Sequence, residues 1–209
     1  MRLPKLKKKV NIAAKGKSVP VFDVIYENIR SWGQVKRFLR RDVADSEIDK
    51  LIQAATMAYS AGDREPWEFI IVRDADMRKR LGMASEKPWI SDAPVLIVLC
   101  ANNKIASTGG AGERGAKLYA VQDLAAAGQN ILLAATAIGL GASWVSEFKE
   151  PDVALLLQTP EWVRPQAIIA IGWPAEAPED NIRHRLDDVV HEGAFGKTRR
   201  ALDTWGYGH

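Results

Sequence analysis

Apolar residues recur along this chain with two different periods, and the changes of period mark its elements. Val21, Val24, Ile25 and Ile29 fall on one side of a helix that Pro20 can open and that reaches about Arg30. Asp45 and Ser46 are candidate N-caps for a second helix over residues 47–58, whose stripe is Ile48, Leu51, Ile52 and Ala55. The run "EFIIV" (68–72) predicts a buried strand, residues 76–83 a short charged helix, and residues 94–101, apolar throughout, a central strand. Residues 102–117 are glycine-rich and polar and predict a long loop. The longest helix follows over 118–138, where Val121, Leu124, Ala125, Gly128, Ile131, Leu132, Ala135 and Ile138 share one face. Its small residues, Ala125, Ala126, Ala127 and Gly128, permit close helix approach, and Gly139 and Gly141 can end it in a left-handed cap. "ASWVS" predicts a third strand, residues 151–158 a helix, "AIIAIGW" (167–173) a fourth strand, and "DDVVHEG" one more short strand.

Two helices precede the first strand, and no regular alternation of parallel strands and helices follows. The pattern therefore predicts a helix-flanked sheet of mixed direction. From Pro174 onward the chain is polar and turn-rich, with too little apolar content to pack alone; wrapping around a partner subunit would account for it. There is no internal repeat.

Composition narrows the functional classes. At 209 residues and 47% hydrophobic, the chain can bury a sizeable core. No apolar run approaches the roughly 18 residues of a membrane span. The pI near 9.0 suggests nucleic acid or an anionic surface. The charge is unevenly spread, however: residues 1–17 hold seven basic residues and no acid, so the rest of the chain sums to −4. The basic character belongs to a leader, read as a solvated tail, and the body gives no reason to expect nucleic acid. The tail lacks the apolar stretch of a signal peptide, and there is no disulfide framework, so a cytoplasmic protein is expected. The single cysteine, Cys100, lies in an apolar run and reads as a buried, inert thiol.

The chemistry-bearing motifs are few. His184, His191 and His209 all fall near the C-terminal end, and no hydrolase triad or metal-ligand spacing is convincing. Gly110-Ala-Gly112-Glu-Arg-Gly115 matches GxGxxG, but no strand ends directly before it and no acid stands about twenty residues on, so it reads as a loop that could act as a lid. Arg30, Lys36, Arg37, Arg40 and Arg41 form one basic cluster, and Arg183 and Arg185 a second. Two such clusters could converge on one phosphate, or remain solvated surface charge. The segment "SAGDREPWEFIIV" (60–72) joins a helix to a strand through small residues that let backbone approach a flat ligand.

At these residues the chain resembles the nitroreductase family, over about residues 21–196. Four segments carry the resemblance in the family's order: "IRSWGQVKRF"; "SAGDREPWEF", similar to the family's Ser-x-x-Asn-x-Gln-Pro-Trp loop; "YAVQDLAAAGQNILLAATAIGLGASWVSEF"; and "AIIAIGWPAEAP" followed by "RHRLDDVVH". The resemblance implies an α+β fold: a three-layer α/β/α sandwich with a mixed, mainly antiparallel sheet, in an intertwined homodimer with FMN at the interface. On this reading residues 1–19 are the leader, 20–196 the FMN-binding domain and 197–209 a C-terminal extension. Arg30 or Lys36, with Arg183 and Arg185, would hold the FMN phosphate. Ser60, Ala61, Gly62 and Asp63 would border the isoalloxazine ring, and the backbone N–H of Ser146 or Glu147 would face flavin N5. The flavin would carry the chemistry, so neither a catalytic side chain nor a metal is expected. NADH or NADPH would reduce it, and a small flat acceptor such as a nitroaromatic or quinone would reoxidise it in a ping-pong cycle.

The chain departs from the family's pattern at informative places. Trp32-Gly33-Gln34-Val35-Lys36 stands where the family reads Arg-Arg-Ser-x-Arg, either replacing that motif or as an insertion of Trp-Gly-Gln after Arg30-Ser31. Asp63 stands for the loop asparagine and Glu65 for the glutamine, and an ionised Asp63 has no amide hydrogen to donate. These departures keep open a relative specialised for dehalogenation or deazaflavin use, and a non-catalytic flavin-binding protein.

Overall fold

A computed structural model describes residues 20–179 and 182–197. The expected leader, and the C-terminal extension beyond residue 197, lie outside the described residues. The chain divides into two compact units, Met1–Glu179 and Asp180–His209.

The first unit contains helices α1 (Val21–Ser31), α2 (Asp45–Thr56), α3 (Ala75–Ala84), α4 (Asn103–Ala106), α5 (Gly112–Arg114), α6 (Ala120–Ala137) and α7 (Glu150–Leu157). Its strands are β1 (Trp67–Val72), β2 (Val95–Asn102), β3 (Gly141–Val145) and β4 (Val163–Gly172). They form one sheet in the order β1-β2-β4-β3, with every strand pairing antiparallel. The parallel component is a single bridge from Gln34 to Ala142 at the edge of β3.

The central strands are buried on both faces because helices cover both. On one face Ile97, Leu99, Ile169 and Ile171 pack with Ile48 and Leu51 of α2 and with Leu124 and Ile131 of α6. On the other, Leu96, Val98, Cys100 and Ile168 pack with Leu81 of α3, Ile90 and Val153 of α7. This is the expected three-layer α/β/α arrangement, and it explains the unbroken apolar run of β2 in an antiparallel sheet. Gly128 lets α6 lie close to β3, since a Cβ there would stand 2.2 Å from the Trp144 ring. Cys100 is buried, and desolvation pushes its thiol up to about 12, in keeping with an inert role.

Several elements differ from the sequence-based expectation. Helix α2 begins at Asp45, two residues earlier, with Ala44 at the cap; the Glu47 carboxylate reaches back to accept the Ala44 N–H at 2.9 Å and replaces the expected Asp45 or Ser46 cap. β4 begins at Val163 rather than near Ala167. A bulge between Leu99 and Cys100 in its pairing with β2 admits Pro165, which a regular ladder would exclude. The segment 102–117, expected as loop, holds α4, α5 and the start of a π turn, Gly115–Tyr119, that leads into α6. Asn102 caps α4 by accepting the Ile105 N–H, and Gly115 packs tightly enough that a Cβ would stand 2.1 Å from the Ala106 carbonyl oxygen. The GxGxxG match thus lies in helical and turn structure. Helix α1 buries none of its residues: Val21, Ile25 and Ile29 of its apolar side are exposed, and Asn28 joins the helix to α6 through the Leu133 carbonyl at 3.1 Å.

Within the second unit, the expected strand "DDVVHEG" is instead a short helix, α8 (Leu186–Val189). Asp187 and Asp188 occupy its first turn, where carboxylates complement the helix dipole. Ile182, Val189 and Phe195 are exposed. Among the described residues no helix is long and apolar enough to cross a membrane, and no cluster of side chains could hold a metal ion.

Candidate functional site

The segment after α2 turns back on itself before β1. Gly62, Asp63 and Glu65 all adopt the left-handed region, at φ +65°, +50° and +51°. For the two acidic residues this costs about 1–2 kcal/mol each relative to a right-handed conformation. Strain of this kind persists where surrounding contacts over-determine it, and the contacts are present. Ser60 is buried, and its Oγ accepts the Glu65 N–H at 3.1 Å. The Ala61 N–H donates to Asp123 Oδ1 on α6 at 3.0 Å. Arg64 donates to the Ala61 carbonyl, and also to Thr108 and Gly109 carbonyls at 2.9 and 3.3 Å. Gly62 and Gly109 leave room for that guanidinium: a Cβ would meet it at 2.5 Å from the first and 2.9 Å from the second.

A cavity of about 570 Å³ opens beside this turn, lined by Tyr59, Ala61, Gly62, Arg64, Tyr119, Gln122, Asp123 and Ala126. Its volume falls in the ordinary range for a small-molecule site. Tyr119, Gln122, Asp123 and Ala126 reach it from one face of the π turn and α6; π turns are frequent at functional sites. Burial raises the Asp123 carboxyl above its ordinary value, opposed by the Ala61 N–H and the Arg64 charge. A hollow of about 500 Å³ between β1, α3 and the end of α7 is lined by Ile70, Arg73, Met77 and Leu156, and holds none of the expected site residues.

Three of the basic residues near the start of the unit, Arg30, Lys36 and Arg37, have anionic partners. Arg30 lies in the last turn of α1 and holds Glu27 at 2.8 Å. Residues 34–38 run along the edge of β3. The buried Ser143 Oγ accepts the Val35 N–H at 2.8 Å and donates to the Val35 carbonyl at 2.6 Å. Gln34 Oε1 accepts the Trp144 N–H at 3.2 Å. Lys36 Nζ meets Glu179 at 2.9 Å, and Arg37 Nε meets Glu176 at 2.6 Å. Desolvation works against the charged Glu176 carboxylate, but Arg37 and the amides of Lys36 and Arg37 outweigh it and hold its pKa below the ordinary value.

The model of the nitroreductase family matches residues 29–88 and 83–173, most of the chain. This protein belongs to the nitroreductase family. A Methanothermobacter thermautotrophicus protein provisionally named NADH dehydrogenase/NAD(P)H nitroreductase is 35% identical over 177 residues, covering 81% of this chain and 86% of its own. The oxygen-insensitive NADPH nitroreductase of Salmonella typhimurium is 27% identical over 168 residues, 77% of this chain and 70% of its own. Among solved structures, the Vibrio harveyi NADPH:FMN oxidoreductase complexed with NAD+ superposes with a TM-score of 0.75 at 24% identity, covering 84% of this chain and 79% of that one; at this identity the likeness speaks for the fold.

Of the residues expected from the family's motifs, Ala61 and Gly62 line the cavity, with Ser60 and Asp63 in the same turn. Ser146 and Glu147 follow β3: Ser146 Oγ accepts the Trp144 Nε1 hydrogen, and the Glu147 carboxylate pairs with Lys87 at 3.0 Å. Neither lines the cavity. Arg183 and Arg185 belong to the second unit, where Arg185 lies 3.6 Å from Asp187. Sequence reasoning missed Tyr59, Arg64, Tyr119, Gln122 and Asp123. One of them carried a signal: Asp123 is the single charged residue of the apolar helix α6.

Proposed function

We propose that this member of the nitroreductase family is an FMN-dependent oxidoreductase that takes hydride from NADH or NADPH and reduces a small flat acceptor, nitroaromatic or quinone-like. The observation that carries the reading is the cavity formed where the strained turn at residues 60–65 meets α6. Its walls combine two tyrosines, small residues and backbone, which suit a flat heteroaromatic ring, and only Arg64 and Asp123 bring charge. FMN, when bound, supplies the hydride chemistry. The chain's part is to bind and orient it. Ser60, Ala61, Gly62 and Asp63 border the ring, Asp123 and Arg64 fix the backbone of that turn, and the amide of Ser146 or Glu147, after β3, serves its N5 edge. Arg30 or Lys36, with Arg183 and Arg185 of the C-terminal arm, is assigned to the phosphate end.

The working form is a homodimer. The exposed Val21, Ile25 and Ile29 of α1 and Val121 of α6 are apolar faces that a second copy would cover. The visible spectrum of the purified protein tests the flavin assignment: a yellow protein that releases FMN, or a colourless one that turns yellow on adding it, is expected. Turnover of NADPH with a quinone tests the activity. Protein that neither carries nor takes up FMN would overturn the reading.

A further inference from the structure

Asp123 is the one carboxyl on the wall of the cavity, and it is only 4% exposed. Its Oδ1 accepts the Ala61 N–H at 3.0 Å; among the described residues no hydrogen bond or ion pair reaches Oδ2. A buried carboxyl with one oxygen left unpartnered on a ligand cavity is placed to gain and lose a proton there. The polar groups around it are few. Arg64 faces the cavity from the turn, Tyr59 from the segment after α2, and Tyr119 and Gln122 from the π turn and α6. Behind Tyr119 stands Arg114, whose Nε donates to the tyrosine hydroxyl at 3.0 Å. Asp63 and Glu65 of the turn do not line the cavity. Toward α6, α2 and the sheet present apolar residues, Leu51, Ala55 and Leu99 among them. Burial raises the Asp123 carboxyl, while the Ala61 N–H and the Arg64 charge pull it down. Opposed influences of this kind leave a group responsive to any further charge brought beside it.

We propose that Asp123 is the proton store of this site: it takes up a proton when the site is reduced and gives it to the acceptor when the electrons leave. The inference rests on the reading of the cavity as a flavin site, and it gives a side chain a part in the chemistry that the sequence motifs do not suggest. Hydride from NADH or NADPH brings two electrons and one proton, and leaves one more negative charge inside the cavity. A second negative charge on Asp123 is then disfavoured by repulsion at short range, so the carboxylate takes a proton from water at Oδ2. Reduction of a quinone to a hydroquinone consumes two electrons and two protons. Hydride transfer accounts for both electrons and one proton; Asp123 returns the other to a quinone oxygen and is left ionised, ready for the next cycle.

The test is a potentiometric titration of the FMN-loaded full chain at a series of pH values, comparing wild type with Asp123→Asn. Each proton taken up with two electrons makes reduction tenfold less favourable per pH unit, which is about 30 mV for a two-electron couple. Over the pH range in which reduced flavin is an anion, wild type is expected to show a stretch with a slope of about 60 mV per pH unit, and Asp123→Asn a slope of about 30 mV throughout. Asparagine keeps an acceptor for the Ala61 N–H, so a purely structural role would leave the two slopes equal. Equal slopes would overturn the inference and leave the flavin reading standing. Infrared difference spectra of wild type, reduced minus oxidised, need no variant. A protonated-carboxyl band should appear on reduction within the steep stretch and shift in D2O; its absence would overturn the inference even if Asp123→Asn failed to fold. Failure of wild type to bind FMN at all would overturn the flavin reading itself, and this inference with it.

Discussion

The carboxylate of Asp123 accepts the backbone N–H of Ala61 at 3.0 Å, joining the first turn of an apolar helix to a turn 62 positions earlier in the chain. Through this bond α6 sets the position of the turn that borders the cavity. The buried acid also has a cost, because burial raises its pKa. A carboxyl whose pKa is raised on folding binds its proton more tightly in the folded state. Its contribution to stability is present at acid pH and is lost as pH rises from the unfolded towards the folded pKa.

Asp123→Asn keeps an acceptor for the Ala61 amide and removes the titration. Relative to wild type, the variant is expected to gain stability as pH rises above about 4, the ordinary carboxyl value, measured by urea unfolding as a function of pH. A difference that does not change with pH would contradict the assignment. Asp123→Leu leaves the Ala61 amide without its partner and should cost about 1–3 kcal/mol at any pH.

Ser143→Ala tests how residues 34–38 are held against β3. The Ser143 hydroxyl both accepts from and donates to the Val35 backbone, fully buried. Its loss leaves a buried amide and carbonyl unsatisfied, for an expected loss of about 1–3 kcal/mol. Hydrogen exchange should show the added opening at Val35. Unchanged protection there would mean that the bridge at Gln34 alone holds the segment.

Gly128→Ala tests the approach of α6 to the sheet. Alanine is the better helix former by about 1 kcal/mol, but its methyl would stand 2.2 Å from the Trp144 ring and 2.8 Å from Leu99. Overpacking of this kind costs about 1–3 kcal/mol, so a net destabilisation is expected in chemical denaturation. A more stable variant would show that Trp144 has room to move.

Ile25→Glu together with Ile29→Glu tests the proposed dimer. Both side chains are exposed on α1. In a monomer such changes alter stability by about 0.5 kcal/mol or less. In a dimer that covers this face, the charges must be buried or the face abandoned. Sedimentation should show a dimer for wild type and dissociation for the double variant. A wild-type monomer, or an undisturbed dimer in the variant, would sink the assignment of this face.

The elements that pattern alone predicted well are those whose evidence is local. β2 is an unbroken apolar run that both layers of helices must cover, and α2 and α6 carry stripes at helical spacing. Hydrophobic burial acts residue by residue along one element, so its period is written in the sequence and needs no partner to be read. The same holds for the turn at residues 60–65, whose small residues, with Pro66 directly after it, announce a break in regular structure. Tertiary contacts decided the rest. The start of β4 depends on a bulge against β2, and the stripe of α1 faces outward although its spacing alone is that of a buried helix. The conformation of the turn depends on Arg64 reaching Thr108 and Gly109 and on Asp123 reaching Ala61. Whether Lys36 and Arg37 are free cations or neutralised ones depends on residues 173–179 running beside them. Hydrogen bonds and ion pairs join whatever groups the packing brings within about 3 Å, and between residues so distant in the chain that proximity comes from the folded layers.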